Sequence, residues 1–568
     1  MNTALAKVDW QKYVLLAGMA VVILMLIGKW SDFQERNRPM VNTETTLSNS
    51  PNSDQSPSQT NQLASQIPSA ADMASDIPLS PDAEAPIAPA VSQELIHVLT
   101  DSLDVLIDTQ GGDIVKVGLP RHYDQIDTPD VPFNLLNRND SHVYIAQSGL
   151  VGRDGTDSSA GRPTFSSAQS SYTLTEGEDS VVVDLKLQQG AVAITKRFTF
   201  TRGDYLIDVQ YLIDNRGSDA WKANFYAQIK RDAMQPQVDG GAIGVQPFLG
   251  AALTTPEENY KKLDFDDLEE SAYKTSVQGG WVAMVQHYFL SAWVADKETE
   301  NSFNLRKVRG KDLYLMGYTS SSTQVAAGDQ GVINAGFYAG PKDIYRLEEL
   351  AEYLDLTVDY GWLWWIAKPL FHVLHFIHSF LGSWGWSIIG LTVLIKLIFF
   401  PLSAASFRSM AKMRKLQPQI ADLKERMGDD KQKFSQEMMK LYQKEGANPL
   451  SGCLPILIQM PVFISLYWVL LESVELRHTP FLGWIADLSV KDPLFILPLI
   501  MGATMFIQQK LNPTPPDPTQ ARIMQMMPIV FTFMFLWFPA GLVLYWVVNN
   551  TLSIIQQYIV TKKIEAAD

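Results

Sequence analysis

The stretch WSIIGLTVLIKLIFFPL, residues 386–402, is strongly apolar and contains a single charged residue, Lys396. A lysine in the middle of a membrane costs about 2.5–3.5 kcal/mol on insertion scales, so it requires a partner, a water-filled cavity or a function. Because Lys396 lies about four to six residues from the end of the run, its long stem also allows the amine to reach the membrane surface. Position alone leaves both interpretations open.

The charge of the chain is divided unevenly around this stretch. The 568 residues carry a net charge of −15, whereas residues 362–568 contain 18 Lys and Arg against 13 Asp and Glu, a net of +5. Residues 1–361 therefore carry −20, and an acidic half followed by a basic, apolar half indicates two compartments. The one cysteine, Cys453, excludes an internal disulfide and a cysteine metal cluster.

Uncharged runs predict six transmembrane helices. The first run, 13–28, lacks a small-residue cleavage site, which favours a signal anchor within 1–30 over a cleavable signal peptide. The other spans are predicted at 386–402, 446–471 and 493–509, and as two crossings within 523–561, separated at Phe538-Pro539-Ala540-Gly541. Ten Lys and Arg in the loop 405–445 predict that this loop and both termini are cytoplasmic and that the acidic segment is external.

The acidic segment contains a predicted linker followed by a predicted β-sandwich. Residues 31–92 are rich in Ser, Pro, Asn and Gln and predict a disordered linker. Residues 93–350 contain short alternating β-rich runs and predict a large antiparallel β-sandwich without any visible catalytic motif. The predicted strands are 103–108, 181–187, 191–202, 205–214 and 224–230.

Residues 351–382 predict an amphipathic helix that lies in the membrane interface. Lys368, His372, His375 and Ser379 recur at spacings of 4, 3 and 4 and form one polar stripe, whereas the other faces are aromatic and aliphatic. His378 lies beside this stripe, but no carboxylate or cysteine joins the three histidines. We therefore predict no metal site and no cofactor.

The cytoplasmic loop 405–445 predicts a helical hairpin with an apolar seam. Each of its two helices has one apolar stripe, and the two stripes pack together. The predicted seam residues are Met413, Leu416, Ile420, Leu423 and Met427 on the first helix, and Phe434, Met438 and Leu441 on the second. The basic residues near the membrane are Arg408, Lys412, Arg414 and Lys415. They set the topology or also contact anionic lipid or ribosomal RNA.

Polar side chains accompany Lys396 in the predicted spans. Tyr545, Asn549, Ser553 and Gln556 share one helical face, with Trp546 alongside; Thr392 precedes Lys396 by four residues, and Gln459 lies in the middle of another span. Interhelical hydrogen bonding is the simpler explanation for any one of them. Together with Lys396, they predict a hydrated groove.

Several long strings resemble a known family. They are GCLPILIQMPVF (452–463), DYGWLWW (359–365), FPAGLVLYW (538–546), SMAKMRKLQP (409–418), GDDKQK (428–433), SVELR (473–477), QSGLVGRDG (147–155) and QGGWVAM (278–284). In this order they resemble the YidC membrane protein insertases of Gram-negative bacteria over nearly the whole chain. The resemblance implies a polytopic α-helical membrane protein of the cell inner membrane, with a periplasmic β-supersandwich and a five-helix insertase core at 383–568.

The resemblance also implies a function. A groove open to the cytoplasm and the lipid would receive incoming chains: Lys396 would attract acidic residues, Thr392 and Trp546 would contact the chain, and Gln459 would hydrate the groove, with Tyr545 and Asn549 lining it. Expected partners are nascent inner-membrane proteins, the Sec translocon with its accessory proteins, the ribosome and signal recognition particle pathway, and membrane lipids, but not DNA. The family usually places Arg where this chain has Lys396, which keeps the charge and loses the bidentate fork.

Two other classes of protein make different predictions. A small-solute transporter predicts internal repeats and paired intramembrane charges, neither of which is visible. An enzyme acting through the sandwich requires a cleft with a paired acid and base, which sequence cannot locate. We therefore expect an insertase and chaperone rather than an enzyme.

Overall fold

The structure is a computed structural model that describes residues 94–158, 161–234, 247–428, 430–446, 454–512 and 518–565. The predicted signal anchor within 1–30 and the predicted linker 31–92 lie outside the described residues, as do residues 447–453 at the start of a predicted span.

The first part of the chain forms a two-sheet sandwich. The strands are β1 Leu95–Leu99, β2 Asp104–Asp108, β3 Asp113–Tyr123, β4 Pro132–Arg138, β5 Val143–Val151, β6 Ser166–Ser167, β7 Ser171–Thr173, β8 Ser180–Gln189, β9 Val192–Thr201, β10 Leu206–Asn215, β11 Trp221–Arg231, β12 Gly250–Leu253, β13 Lys261–Leu263, β14 Tyr273–Gln278, β15 Trp281–Val285, β16 Phe289–Ala295, β17 Glu300–Lys307, β18 Tyr314–Val325 and β19 Gln330–Pro341. One sheet has ten strands in the order β14-β17-β18-β11-β5-β4-β3-β2-β1-β7, and the other has nine in the order β13-β12-β15-β16-β19-β10-β9-β8-β6.

The predicted antiparallel sandwich is confirmed, and all five predicted strands are present within a few residues of their expected ends. Alternation places one side of each strand in the core: in β10, Ile207, Val209, Tyr211 and Ile213 are buried between the sheets. One pairing differs, because the short strand β7 runs parallel to β1.

The second part of the chain is helical. Its helices, numbered with the one short helix of the sandwich, are α1 Phe265–Glu270, α2 Ile344–Leu350, α3 Trp364–Leu381, α4 Trp384–Ile398, α5 Phe400–Lys415, α6 Gln417–Met427, α7 Lys431–Lys444, α8 Leu454–Glu472, α9 Ile496–Leu511, α10 Pro518–Met534 and α11 Ala540–Glu565. The predicted break at Phe538-Pro539-Ala540-Gly541 is present: α10 ends at Met534, and α11 begins at Ala540, within the predicted turn.

The predicted span 386–402 is not one continuous helix. The helix breaks at Phe399, and α4 and α5 meet at an angle of 66°. Pro401 explains the break, since it begins a new helix well but cannot continue an old one. By length and composition, this bent pair qualifies as a membrane crossing, whereas no single helix among the described residues does so on its own. Lys396 consequently lies in the last turn of α4.

Two members of the polar stripe of α3, Lys368 and His372, contact other parts of the protein, whereas Ser379 is exposed. Lys368 pairs with Glu348 of α2 at 2.7 Å and with Asp355 at 2.9 Å, and the Tyr345 hydroxyl lies 2.9 Å from Nδ1 of His372. The outward side of this region is aromatic: Trp362, Trp364, Trp365, Phe376 and Phe380 are all exposed. The predicted helical spacing of the polar residues is therefore correct, but the sequence did not predict that Lys368 and His372 contact other protein side chains.

The hairpin of α5, α6 and α7 has the predicted apolar seam in shortened form. Its cluster contains Met413, Leu416, Ile420 and Tyr442, with Phe434, Met438 and Leu441 packed against it. Leu423 and Met427 are half-buried outside the cluster. Asp430 caps α7 by accepting a hydrogen bond from the Lys433 amide.

Candidate functional site: a polar ribbon along α11

Lys396 meets α11 at a single polar atom. Its Nζ donates a hydrogen bond of 2.7 Å to the hydroxyl of Ser553, which lies on α11. Lys396 is half-buried, whereas Ser553 is buried. Within the described part of the chain, no carboxylate pairs with Lys396, so its charge remains available to another group.

A continuous ribbon of polar atoms runs along α11 from this contact. The Ser553 hydroxyl donates to the backbone oxygen of Asn549 at 2.7 Å, one turn away. The side-chain oxygen of Asn549 accepts a hydrogen bond of 2.7 Å from the Gln459 amide on α8. Lys396, Ser553, Asn549 and Gln459 therefore connect α4, α11 and α8 through polar contacts in an otherwise apolar bundle, where such contacts are costly to leave unmade.

An aromatic wall closes the far end of the ribbon. Tyr545 is buried next to Gln459, and within the described residues its hydroxyl makes no hydrogen bond of normal geometry. The Trp546 ring lies 4.5 Å from the ring of Phe463 and 5.2 Å from that of Phe535. The ribbon therefore ends in rings that bury large apolar area.

Thr392 does not join the ribbon. Its side chain is buried, and its hydroxyl donates to the backbone oxygen of Ile388 at 2.6 Å within its own helix. This back-bonding is a common way for threonine to satisfy its hydroxyl in an apolar helix. The other predicted groove residues, Lys396, Gln459, Tyr545, Trp546 and Asn549, do come together.

The remaining polar residues of α11 fasten it to its neighbours. Gln556 donates to the backbone oxygen of Phe400 at the α4–α5 bend, whereas Asn550 and Gln557 donate to groups on and just after α9. The polar face predicted from spacing therefore contains two sets of side chains: one set forms the ribbon, and the other holds the bundle together.

The basic residues of the hairpin lie apart from the ribbon on exposed surface. Arg408, Lys412, Arg414 and Lys415 are all exposed along α5, beyond the bend at Phe399. They form a positively charged surface on α5, the helix that follows the one carrying Lys396.

The sequence does not identify Ser553 as the partner of Lys396. Ser553 was visible only as one member of a polar face. The usable signal was its i+4 spacing from Asn549, which places both on one face of a helix.

Comparisons with known proteins agree with the division of the chain. Residues 95–373 match the family model of the YidC periplasmic domain, and residues 376–567 match that of the 60Kd inner membrane protein. The membrane protein insertase YidC of Cellvibrio japonicus is 60% identical over 567 residues, 99% of each chain, and that of Pseudomonas entomophila is 52% identical over 560 residues, 98% of this chain and 99% of the relative. A crystal structure of an active YidC insertase covers 83% of this chain and 93% of its own, at 19% identity and a TM-score of 0.38.

Proposed function

The chain belongs to the YidC family of membrane protein insertases, and from that premise we propose that the polar ribbon of α4, α8 and α11 is the surface that receives the hydrophilic end of an incoming membrane protein. The protein is an inner-membrane insertase with a periplasmic domain. The observation that carries the proposal is the contact of Lys396 with a hydroxyl and with no carboxylate among the described residues. An un-neutralised cation in an apolar bundle attracts acidic groups of a substrate.

The ribbon lowers the cost of moving polar groups into the bilayer. Burying an amide or hydroxyl without a hydrogen bond costs about 1–3 kcal/mol, and more for charged groups. The side chains of Lys396, Asn549 and Gln459 offer both donors and acceptors to a passing segment. This mechanism involves no covalent step, so the protein acts without being an enzyme.

The apolar part of the substrate would leave along the lipid-facing helices. Met526, Met527 and Phe533 of α10 are exposed, and Met524 and Met534 are half-exposed beside them. Unbranched methionine side chains adapt to many shapes, which suits a surface that must accept varied sequences.

The proposed topology has six spans, with residues 1–30 as signal anchor, both termini in the cytoplasm, and the helices of 383–568 as the insertase core. The exposed basic residues of the hairpin would then face the cytoplasm, where the ribosome and the signal recognition particle pathway deliver substrates; the Sec translocon would meet the protein in the membrane. Introduced cysteines at 100–340 should react with an impermeant reagent from the periplasm, whereas those at 410–440 should not. The reverse pattern would contradict this topology.

The decisive experiment replaces Lys396 in the full-length protein in proteoliposomes. Lys396→Ala and Lys396→Glu should reduce insertion of a substrate with an acidic translocated segment by roughly fivefold or more, which corresponds to about 1 kcal/mol of lost attraction. A matched substrate with a neutral segment should be affected less, because it loses only hydration of the groove.

Lys510→Ala is the matched control, since Lys510 is an exposed lysine at the end of α9, away from the ribbon. It should insert both substrates as well as the unmodified protein does. Equal activity of the Lys, Ala and Glu forms on the acidic substrate would mean that Lys396 only reaches for the membrane surface.

A further inference from the structure

The sandwich and the helical region share one apolar core. Buried side chains on the outer face of the nine-stranded sheet, among them Trp281 and Leu290, belong to the same cluster as Phe371 of α3 and Leu466 of α8. The two parts are therefore packed against each other, and the sandwich is not merely tethered to the membrane region.

A buried ion pair lies at this contact. Nζ of Lys342, just after β19, lies 2.5 Å from a carboxylate oxygen of Glu472, the last residue of α8. The two residues are 3% and 1% exposed. The other carboxylate oxygen of Glu472 has no partner among the described residues, so Lys342 is the ammonium that compensates this charge.

Neighbouring contacts hold the same end of α8. His287, in the turn between β15 and β16, lies with its Nε2 2.8 Å from the backbone oxygen of Leu471. Arg477 donates to the backbone oxygens of Tyr123 and Asp124 in the sandwich. Val474 packs into the core of the sandwich itself. Three separate parts of the sandwich therefore contact the short segment at the end of α8.

We propose that Lys342 is a positioning residue for insertion, acting through Glu472 to fix the end of α8 on the sandwich and thereby its position beside α11. The inference rests on the proposed function of the polar ribbon, because α8 carries Gln459 and also Phe463, whose ring contacts Trp546. Phe463 is nine residues from Glu472, about 14 Å along the helix, so a displacement at the end of α8 reaches the ribbon. Lys342 itself touches no substrate.

Whether one or both charges of the pair are removed determines whether insertion is impaired. Removing one member of a buried pair leaves an uncompensated charge, which draws water or shifts the helix end, whereas replacing both by apolar side chains is frequently tolerated. The pair can therefore be tested as a pair: single variants should fail, and matched double variants should recover.

The experiment uses the full-length protein in proteoliposomes with Lys342→Met, Glu472→Gln, the double variant Lys342→Met with Glu472→Met, and the exchanged pair Lys342→Glu with Glu472→Lys. Both single variants should insert acidic and neutral substrates at less than one third of the normal rate. At least one of the two double variants should return to within twofold. Lys491→Met, an exposed lysine on the loop before α9, is the control and should behave normally.

Hydrogen exchange distinguishes a local loosening of α8 from a general destabilisation of the sandwich. Amides of α8 should exchange at least tenfold faster in the single variants, while those of β9 and β10 remain unchanged. Equal acceleration in β9 and β10, unchanged exchange in α8, or failure of both double variants would overturn the inference. Failure of the proposed ribbon would look different: Lys396→Ala would insert acidic substrates normally, while Lys342→Met would still accelerate exchange in α8.

Discussion

Two lysines, one in each region, illustrate how the sandwich and the helical region use the same side chain. Lys196 of β9 is fully buried between the sheets, and its Nζ donates to the backbone oxygens of Gly111, Gly112 and Ser148 at 2.8–3.1 Å. Lys396 of α4 donates to one hydroxyl, that of Ser553. The sandwich satisfies its lysine completely, whereas the helical region leaves hydrogen-bonding capacity for another molecule.

The two lysines also differ in whether carboxylates lie near them. Next to Lys196, Arg162 pairs with Asp157 at 2.7 Å and also with Asp113, so charges of both signs surround the amine. Burial nevertheless lowers the pKa of Lys196 to about 7, while Asp113 opposes that shift. A lysine in a closed network of this kind stabilises the fold, and a lysine with a single neutral partner is available for binding.

The largest effect should come from Lys196→Met. This change removes a donor from three buried carbonyl oxygens, and Arg162 still donates to those of Gly111 and Ser148 but not to that of Gly112. We therefore expect a loss of about 2–3 kcal/mol in the free energy of unfolding of the sandwich. Thermal unfolding followed by the β-sheet circular dichroism signal measures it. Lys186→Met, on an exposed lysine of the adjacent strand β8, should change stability by less than about 0.5 kcal/mol. Similar midpoints for the two variants would contradict the assigned role.

The second effect concerns pH. The folded pKa of Lys196, about 7, lies below the usual value of 10.5, so between these values the unfolded chain binds the extra proton and stability rises with pH. From pH 7 to pH 9 the sandwich should gain about 2 kcal/mol relative to Lys196→Met, which lacks this group. The unfolding midpoint at each pH, compared between the two proteins, provides the measurement. Parallel pH profiles would show that Lys196 does not titrate in this range.

Ser553→Asp would give Lys396 the kind of neighbour that Lys196 has. A carboxylate at this position should neutralise the amine and reduce insertion of acidic substrates by roughly fivefold, or about 1 kcal/mol. Ser553→Asn, of similar size and without charge, is the control and should stay within about twofold. If the Asp and Asn variants insert acidic substrates equally well, the charge of Lys396 is not what the substrate meets.

The smallest effect is expected for Lys396→Arg. The charge and most of the reach remain, so insertion should stay within about twofold of normal for acidic and neutral substrates. Rates for both substrates in proteoliposomes test this. A loss as large as that of Lys396→Ala would mean that the shape of the amine, and its fit to the Ser553 hydroxyl, matters more than its charge.

Much of the architecture could be predicted because it depends on periods along the chain. Alternation predicted β8 to β11, and the apolar seam predicted the hairpin. The site was only partly predictable. A face defined by spacing contains Asn549 and Ser553, but spacing does not reveal that Thr392 bonds to its own helix or that Gln556 reaches the α4–α5 bend.

The sequence by itself determined the sandwich, the helices and the one lysine in an apolar span, because burial periodicity and the cost of charge in a membrane are local properties. Only the tertiary structure decided which polar groups meet. The Gly111-Gly112 turn shows why: both residues have positive φ, and a side chain at Gly112 would approach within 2.9 Å of Lys196, a residue 84 positions away. Lys342 and Glu472 likewise meet across 130 positions, a distance at which no local pattern specifies a partner.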